Sequence, residues 1–292
     1  MALAMIRAGR ARGTIVIETA RRRFGRRTAI AAACMLPRIV LGQARPDTLV
    51  LRCPGPPRIS DTRAGFYLEL LDLVMKKTGV VYRIDPRADI LSGTQVLELL
   101  PEQQGLEVAW GTDAPEWGEK LWPVSIPVDK GILGWRLLLI RRQDRAKFAA
   151  IRTHTELAAL LAGQQRDWSD VTILRGNGLR LASYASYEEL FPALAEGRYQ
   201  YLPRGIAEIW DEEKHFGKLG LMIEPTLALH YRQQSHFFVS RKNPALHAYL
   251  EQGLRAVIAD GSYETLFDRY NGEAIRRANL DARRVFELKM PA

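Results

Sequence analysis

Cysteine is almost missing from this chain: of 292 residues only Cys34 and Cys53 are cysteines. That is too few for the disulfide framework that staples small secreted domains, and no Cys-x-x-Cys motif exists for redox or zinc chemistry. Histidine is scarce as well. His154, His215, His230, His236 and His247 fall at no metal-ligand spacing. Neither a Gly-x-Ser-x-Gly nucleophile elbow nor a Gly-x-x-x-x-Gly-Lys phosphate loop occurs. Apolar runs of the roughly 20 residues that a bilayer-crossing helix needs are absent too, as are repeats and low-complexity tracts after residue 45. These absences argue against the common hydrolase, nucleotide-binding and metalloenzyme classes, and no cofactor or metal is expected.

Positive charge is abundant overall but unevenly placed. The formal net charge is +9, yet residues 1–44 hold nine of the 42 Lys and Arg and only one of the 33 Asp and Glu. The remainder therefore carries 33 basic against 32 acidic residues, a formal charge of +1. A nucleic-acid binder keeps a basic face on its folded part, so nucleic acid is not an expected partner. The basic stretch ending in Arg21-Arg22-Arg23-Phe24-Gly25-Arg26-Arg27 precedes a short apolar run, Thr28 to Leu36, and small residues at Gly42-Gln43-Ala44. That layout predicts a secretory signal at 1–44, cut after Ala44, and hence a periplasmic mature chain. The Arg-Arg-x-Phe order resembles a twin-arginine signal, with general secretion as the alternative.

Past that segment, strand and helix patterns alternate. Thr48–Arg52, Val80–Ile84 and Leu106–Trp110 read as strands, with helices over Gly65–Lys77 and Thr94–Glu102 between them. Ile132–Ile140 is apolar almost throughout, which predicts an extended segment buried on both faces. A second series follows. Capping-box spacing at Thr153/Glu156 and Ser186/Glu189 predicts helices running to about Gly163 and Gly197. Val171–Arg175 reads as a strand ending in the Gly176-Asn177-Gly178 turn, Tyr199–Leu202 as another strand, and Arg204–Lys214 as a helix. His236–Ser240 returns as a strand, Asn243-Pro244 opens a helix, and a further helix ends at Asn271-Gly272. Two α/β series joined by two extended segments predict an α/β fold of two lobes with a double crossover. The expected boundaries are 45–139 with 236–292 for lobe 1, and 140–235 for lobe 2. The last twenty residues are expected as an added helix and tail packed on the first lobe.

The stretches GFYLELLDLVMKKTG (65–79), GILGWRLLLIRRQD (131–144), THTELAALLAG (153–163) and RKNPALHAYLEQGLRAVIADGSYETLFDRYNG (241–272), in that order, resemble the bacterial extracellular solute-binding protein family 3. The resemblance implies the type 2 periplasmic binding fold, a small-molecule ligand held between the lobes, and delivery to an ABC-type permease or a sensor by a protein that is a monomer and not an enzyme. It also implies a divergent branch. Members that bind amino acids carry an Arg after the third strand, in a Thr-x-x-Arg context, for the ligand carboxylate. Here the segment WGTDAPEWGEKLWPVSIPVDKG (110–131) contains no Arg, and Arg204 stands near where an acid for the ligand amine is expected.

Six residues are candidates for ligand binding. Arg204 follows a strand and a Pro and could meet an anion, or pair with Glu208 one turn on. Asp113 at a strand end could meet an amine or hydroxyl, or cap a turn. Arg175 and Asn177, in the RGNG turn, could hold an anionic group or simply make the turn. Trp110 and Tyr187 could offer stacking surfaces or pack in the core. Proteins of this fold include dehydratases, so a periplasmic small-molecule lyase is the alternative reading, and a non-transporting ligand or partner protein is a third.

Overall fold

The computed structural model describes residues 48–55, 63–89, 91–112 and 115–291. The proposed export signal, Cys34 and Asp113 lie outside the described residues. The chain opens with β1 (Leu49–Cys53), helix Arg63–Lys76, β2 (Tyr82–Pro86), helix Gly93–Leu99, β3 (Val108–Thr112), helix Pro115–Lys120 and β4 (Leu121–Pro123). The second series holds β5 (Trp135–Arg141), β6 (Leu161–Gln165), β7 (Arg180–Tyr184), β8 (Tyr201–Gly205), β9 (Leu221–Ile223) and β10 (Leu227–His230). After these come β11 (Ser235–Ser240), the helix Pro244–Ala259 and, near the end, β12 (Arg284–Glu287). β1 and β2 pair in parallel, β11 lies antiparallel between β3 and β4, and the remaining strands form a larger sheet in the order β12-β10-β5-β8-β6-β7, with β9 also on β5.

β5 organises that larger sheet through its unbroken apolar run Leu137–Ile140. Leu137 and Leu139 enter one core cluster with Leu190, Tyr199 and Leu202, while Leu138 and Ile140 enter another with Phe148, Leu157 and Tyr201. Successive side chains of a strand point to opposite faces, so an unbroken apolar run means burial on both. In the first lobe, the helix Pro244–Ala259 turns Leu246, Leu250, Leu254 and Val257 inward, and its N-cap Asn243 accepts from the Leu246 N–H with Pro244 in the first turn. This helix packs close to Arg63–Lys76: a Cβ on Gly253 would come within 2.4 Å of the Val74 carbonyl oxygen. Cys53 is fully buried, and burial first, with Asp85 and Glu107 adding to it, pushes its thiol up to about 12.

Several local expectations change. The capping-box spacings at Thr153/Glu156 and Ser186/Glu189 mark true helix starts, with a complete box at Thr153 and only the Glu189 N–H to Ser186 bond at the second, but the first helix stops at Ala158 and the chain re-emerges as β6. The run Ala158–Gly163 is short and apolar, and periodicity alone does not separate helix from strand there. Val171–Arg175 is helical, inside Asp170–Gly176, because Val171, Ile173 and Leu174 are buried on one side of that helix and tertiary packing overrides β propensity. Arg204 lies within β8 and the following helix begins only at Ile209. Asn271-Gly272 does not end a helix; a π-helical turn, Asp268–Gly272, leads straight into Glu273–Ala278. The tail does not pack on the first lobe as expected. β12 pairs in parallel with β10 from Leu227↔Arg284 to His230↔Glu287, and so completes the larger sheet.

Two stretches of chain, 124–134 and 231–234, cross between the three-stranded and the larger sheet. They run side by side: Val124 N donates to Phe237 O at 2.8 Å, Val128 N to Ser235 O at 2.8 Å, and Tyr231 N to Gly134 O at 3.2 Å. A Cβ on Gly134 would stand 2.1 Å from the Tyr231 carbonyl oxygen, so the two backbones approach closer than any side chain permits. Gly134→Ala is expected to lower stability by about 1–3 kcal/mol or more, as overpacking against rigid backbone does. Urea unfolding at constant m-value measures it, and a change within experimental error would mean that the crossing is looser than described.

Candidate functional site

A cavity of about 230 Å³ opens between the two lobes beside the crossing segments. From the first lobe, Tyr67 on the helix Arg63–Lys76 and Trp110 on β3 form one wall, their rings stacked at 5.2 Å and 9°. Phe66 and Tyr270 widen this aromatic surface, their rings edge to face at 5.8 Å. Tyr270 sits on the π-helical turn and comes near Gly65, where a Cβ would meet the phenol oxygen at 3.2 Å. The second lobe contributes Gly205 at the end of β8, and then Ala207 and Glu208. The crossing contributes the floor.

That floor centres on Asp129, which is 2 % exposed. Its Oδ1 accepts from the backbone N–H of Ser235 at 3.0 Å and of Gly131 at 3.1 Å, and its Oδ2 from Leu133 at 3.2 Å. One carboxylate thus holds a turn of the outgoing segment against the first residue of the returning strand. Ser235 in turn accepts a hydrogen bond from the Tyr67 hydroxyl at 3.0 Å through its Oγ, which ties the aromatic wall to the floor. Burial pushes the Asp129 carboxyl above the usual carboxylate range, against those N–H donors and the nearby His236, which pull it down.

Behind the second-lobe wall lie two buried arginines. Arg204 Nε donates to both oxygens of Glu212 at 2.9 and 2.8 Å, its Nη2 donates to Glu212 Oε1 at 2.6 Å, and the same nitrogen reaches Glu208 Oε1 at 3.0 Å. Its guanidinium also lies 4.3 Å from the Trp168 ring centre and 5.7 Å from that of Tyr187. Burial by itself would lower this guanidinium's pKa, but Glu208 and Glu212 outweigh it and hold the charge firmly. Arg136 on β5 makes a two-point pair with Asp170, Nε to Oδ2 at 2.8 Å and Nη2 to Oδ1 at 3.0 Å. Glu208 Oε1 also accepts the Gly205 N–H at 3.0 Å, so the wall residue is anchored to the strand end.

The structure brings together only part of the residues singled out in the sequence. Trp110 lines the cavity. Arg204 stands behind it, engaged by Glu212 and Glu208, and Tyr187 supports the same cluster by donating to Glu212 Oε1 at 2.9 Å. Arg175 is elsewhere, donating to Ser183 Oγ at 3.1 Å. Asn177 clamps the tail: its side-chain amide donates to Lys289 O at 2.8 Å and accepts from Lys289 N at 2.8 Å. Tyr67, Asp129, Glu208 and Ser235 were not anticipated. Tyr67 lies inside GFYLELL, the stretch that carries the family resemblance, and Glu208 was visible as the residue four beyond Arg204. Nothing in the sequence marked Asp129.

No family model matches the chain, and no curated protein matches it by sequence. Solved structures do match. An ancestral arginine-binding protein bound to arginine aligns over 76% of this chain and 97% of its own, with 17% identity and a TM-score of 0.56. The substrate-binding protein of an amino acid ABC transporter aligns over 76% and 98%, with 13% identity and a TM-score of 0.53. A histidine kinase sensor domain with similarity to periplasmic binding proteins aligns over 77% and 96%, with 16% identity and a TM-score of 0.54. The chain has the type 2 periplasmic-binding-protein fold.

In a type 2 periplasmic-binding-protein fold the cleft between lobes is where open α/β sheets present strand ends to a ligand. The cleft of this chain departs from the carboxylate-binding pattern expected for amino acids, because no Arg or Lys is among the described residues that line it. Arg204→Ala would leave Glu212 buried without its cation, and removing one partner of a buried pair costs about 3–5 kcal/mol. Chemical denaturation checks this; a loss below about 1 kcal/mol would show that Arg204 is not structural. Asp129 offers a pH test. Its folded form binds the proton more tightly than an unfolded Asp of pKa about 3.9, so its stabilising contribution is complete below that value and is lost as pH rises through the folded value. The stability advantage of the natural protein over Asp129→Asn should therefore shrink as pH rises above about 4, the unfolded value. Growth of that advantage with pH would mean that the backbone donors dominate.

Proposed function

We propose that this protein is a member of the extracellular solute-binding protein family 3 that captures a small polar or charged molecule between its lobes and hands it to a membrane permease or a sensor. The observation that carries the reading is the cavity whose walls come from both lobes and whose floor is the pair of crossing segments. Such a cavity is completed only when the lobes approach, so a ligand touching both walls favours the closed form over the open one. The lobes are taken at the expected boundaries, 45–139 with 236–292 and 140–235, moved so that β5 and the terminal strand β12 both lie in the second lobe, through their pairing with β8 and β10. Export through the segment 1–44 would place the mature chain in the periplasm, as a monomer, and the chain acts by binding rather than by turnover. Among the described residues no helix is long and apolar enough to cross a membrane. Of the six candidates, Trp110 is retained as a contact residue and Arg204 with Tyr187 as its support, while Asp113 stays a contact candidate.

Thermal unfolding of the purified chain against amino acids, other carboxylates, amines, sugars and osmolytes tests this. A ligand at 100 times its Kd adds about 2.7 kcal/mol, a rise in Tm of roughly 2–4 °C or more at this size. A rise from one chemical class, lost in Trp110→Ala and with the ligand recovered unchanged, is the expected result. A ligand recovered chemically altered would transfer the weight to the lyase reading, and no rise across the panel would remove small-molecule capture.

A further inference from the structure

The cavity has a one-sided electrostatic character that its fold does not require. Its two charged lining residues among those described, Asp129 and Glu208, are both acids. Asp129 is buried at the floor and its hydrogen bonds come from three backbone N–H groups; the structure gives it no ion pair with a Lys or Arg among the described residues. Backbone donors solvate a carboxylate but do not neutralise it, and a buried charge without a countercharge is costly. The nearest basic residue in sequence, Lys130, is committed to Glu264. On the other wall, Arg204 is shared between Glu208 and Glu212, and Arg136, paired with Asp170, also interacts with Glu208, so that two cations stand against three carboxylates. The same cavity is lined by the stacked pair of Tyr67 and Trp110, with Phe66 and Tyr270 beside it. Aromatic faces attract a desolvated cation and offer nothing comparable to an anion.

Resting on the capture reading above, we infer that the ligand is a small organic cation, an ammonium or guanidinium group held over the Tyr67–Trp110 surface with Asp129 as its countercharge, and that a ligand carboxylate is not needed for recognition. The aromatic wall supplies an apolar, polarisable face and Asp129 supplies the charge, the combination by which folded proteins hold alkylammonium groups. An amino acid would have to place its carboxylate in a cavity whose described lining holds two carboxylates and no cation, and like charges in a shared site repel.

Isothermal titration of the full chain with choline and with agmatine, each compared with a neutral analogue, reads the charge requirement without altering the protein. For choline the analogue has carbon in place of the ammonium nitrogen. At least one of the two cations is expected to bind with a Kd at least tenfold below that of its neutral analogue, and Asp129→Asn is expected to erase that difference. Glu208→Gln provides a second variant should Asp129→Asn fold poorly, and is expected to weaken cation binding severalfold. Equal binding of cation and analogue would overturn the inference. So would capture of a dicarboxylate such as glutarate, or of a neutral sugar, in preference to both cations, and in those cases small-molecule capture itself would stand. Absence of binding by these probes and by the wider panel would remove the capture reading and this inference together.

Discussion

The geometry of the cleft depends on two stretches of backbone lying edge to edge between the lobes, and on the single carboxylate that fastens them. Asp129 gathers the N–H groups of Gly131, Leu133 and Ser235, donors that would otherwise be buried without partners where the chain leaves one sheet and enters the other. An unsatisfied buried donor costs about 1–3 kcal/mol, so one side chain meets a demand that a purely apolar crossing could not. The arrangement also sets the spacing of the walls. Ser235, held by Asp129, receives the Tyr67 hydroxyl, so the position of the aromatic wall follows from the position of the floor.

The second lobe is held differently, by two buried arginines rather than by a buried acid. Arg136 and Arg204 lie on the neighbouring strands β5 and β8, where Arg136 pairs with Gly205 and Leu137 with Arg204. Each guanidinium is matched to a carboxylate on a following helix, Asp170 or Glu212, so strand and helix are locked by two-point contacts. Gly205 is where this scaffold meets the cavity. A Cβ there would lie 3.1 Å from Glu208 Oε1 and 3.3 Å from Arg136 Nη1, so a larger residue would press on the groups that hold the wall.

Much of the architecture was legible because the chain announces it with patterns that have a direct physical cause. The unbroken apolar run of β5 could only be buried on both faces, and Asn243-Pro244 could hardly be anything but a helix start. What was misread came from short segments with two plausible periods. Val171–Arg175 is rich in β-branched and apolar residues, yet it lies on a helix whose inward face is set by Ile173 and Leu174. The final strand escaped because four residues of mixed polarity at a terminus give no periodic signal, and its partner β10 lies more than fifty residues earlier. Site residues were harder still. Arg204 looked like a ligand contact because strand ends before helices often are, but the helix starts later than its pattern implied, and Glu208 and Glu212 both turn back onto the guanidinium.

The absence of an arginine in residues 110–131 and the burial of Arg204 bear on the same question from opposite ends. A fold that recognises a carboxylate needs an exposed cation aimed into the cleft. In this chain the described cations nearest the cleft are drawn into the scaffold by acids at 2.6 to 3.0 Å, and the charged groups among those lining the cavity are carboxylates. Building carboxylate recognition into such a site would take more than adding one arginine. The acids at positions 129 and 208 also serve structure, Asp129 by closing the crossing and Glu208 by capping Gly205, and neither can be removed without exposing the backbone donors it satisfies. The polarity of the cleft is therefore coupled to the stability of the crossing, and a different set of charges there would need a new way of fastening the two crossing segments.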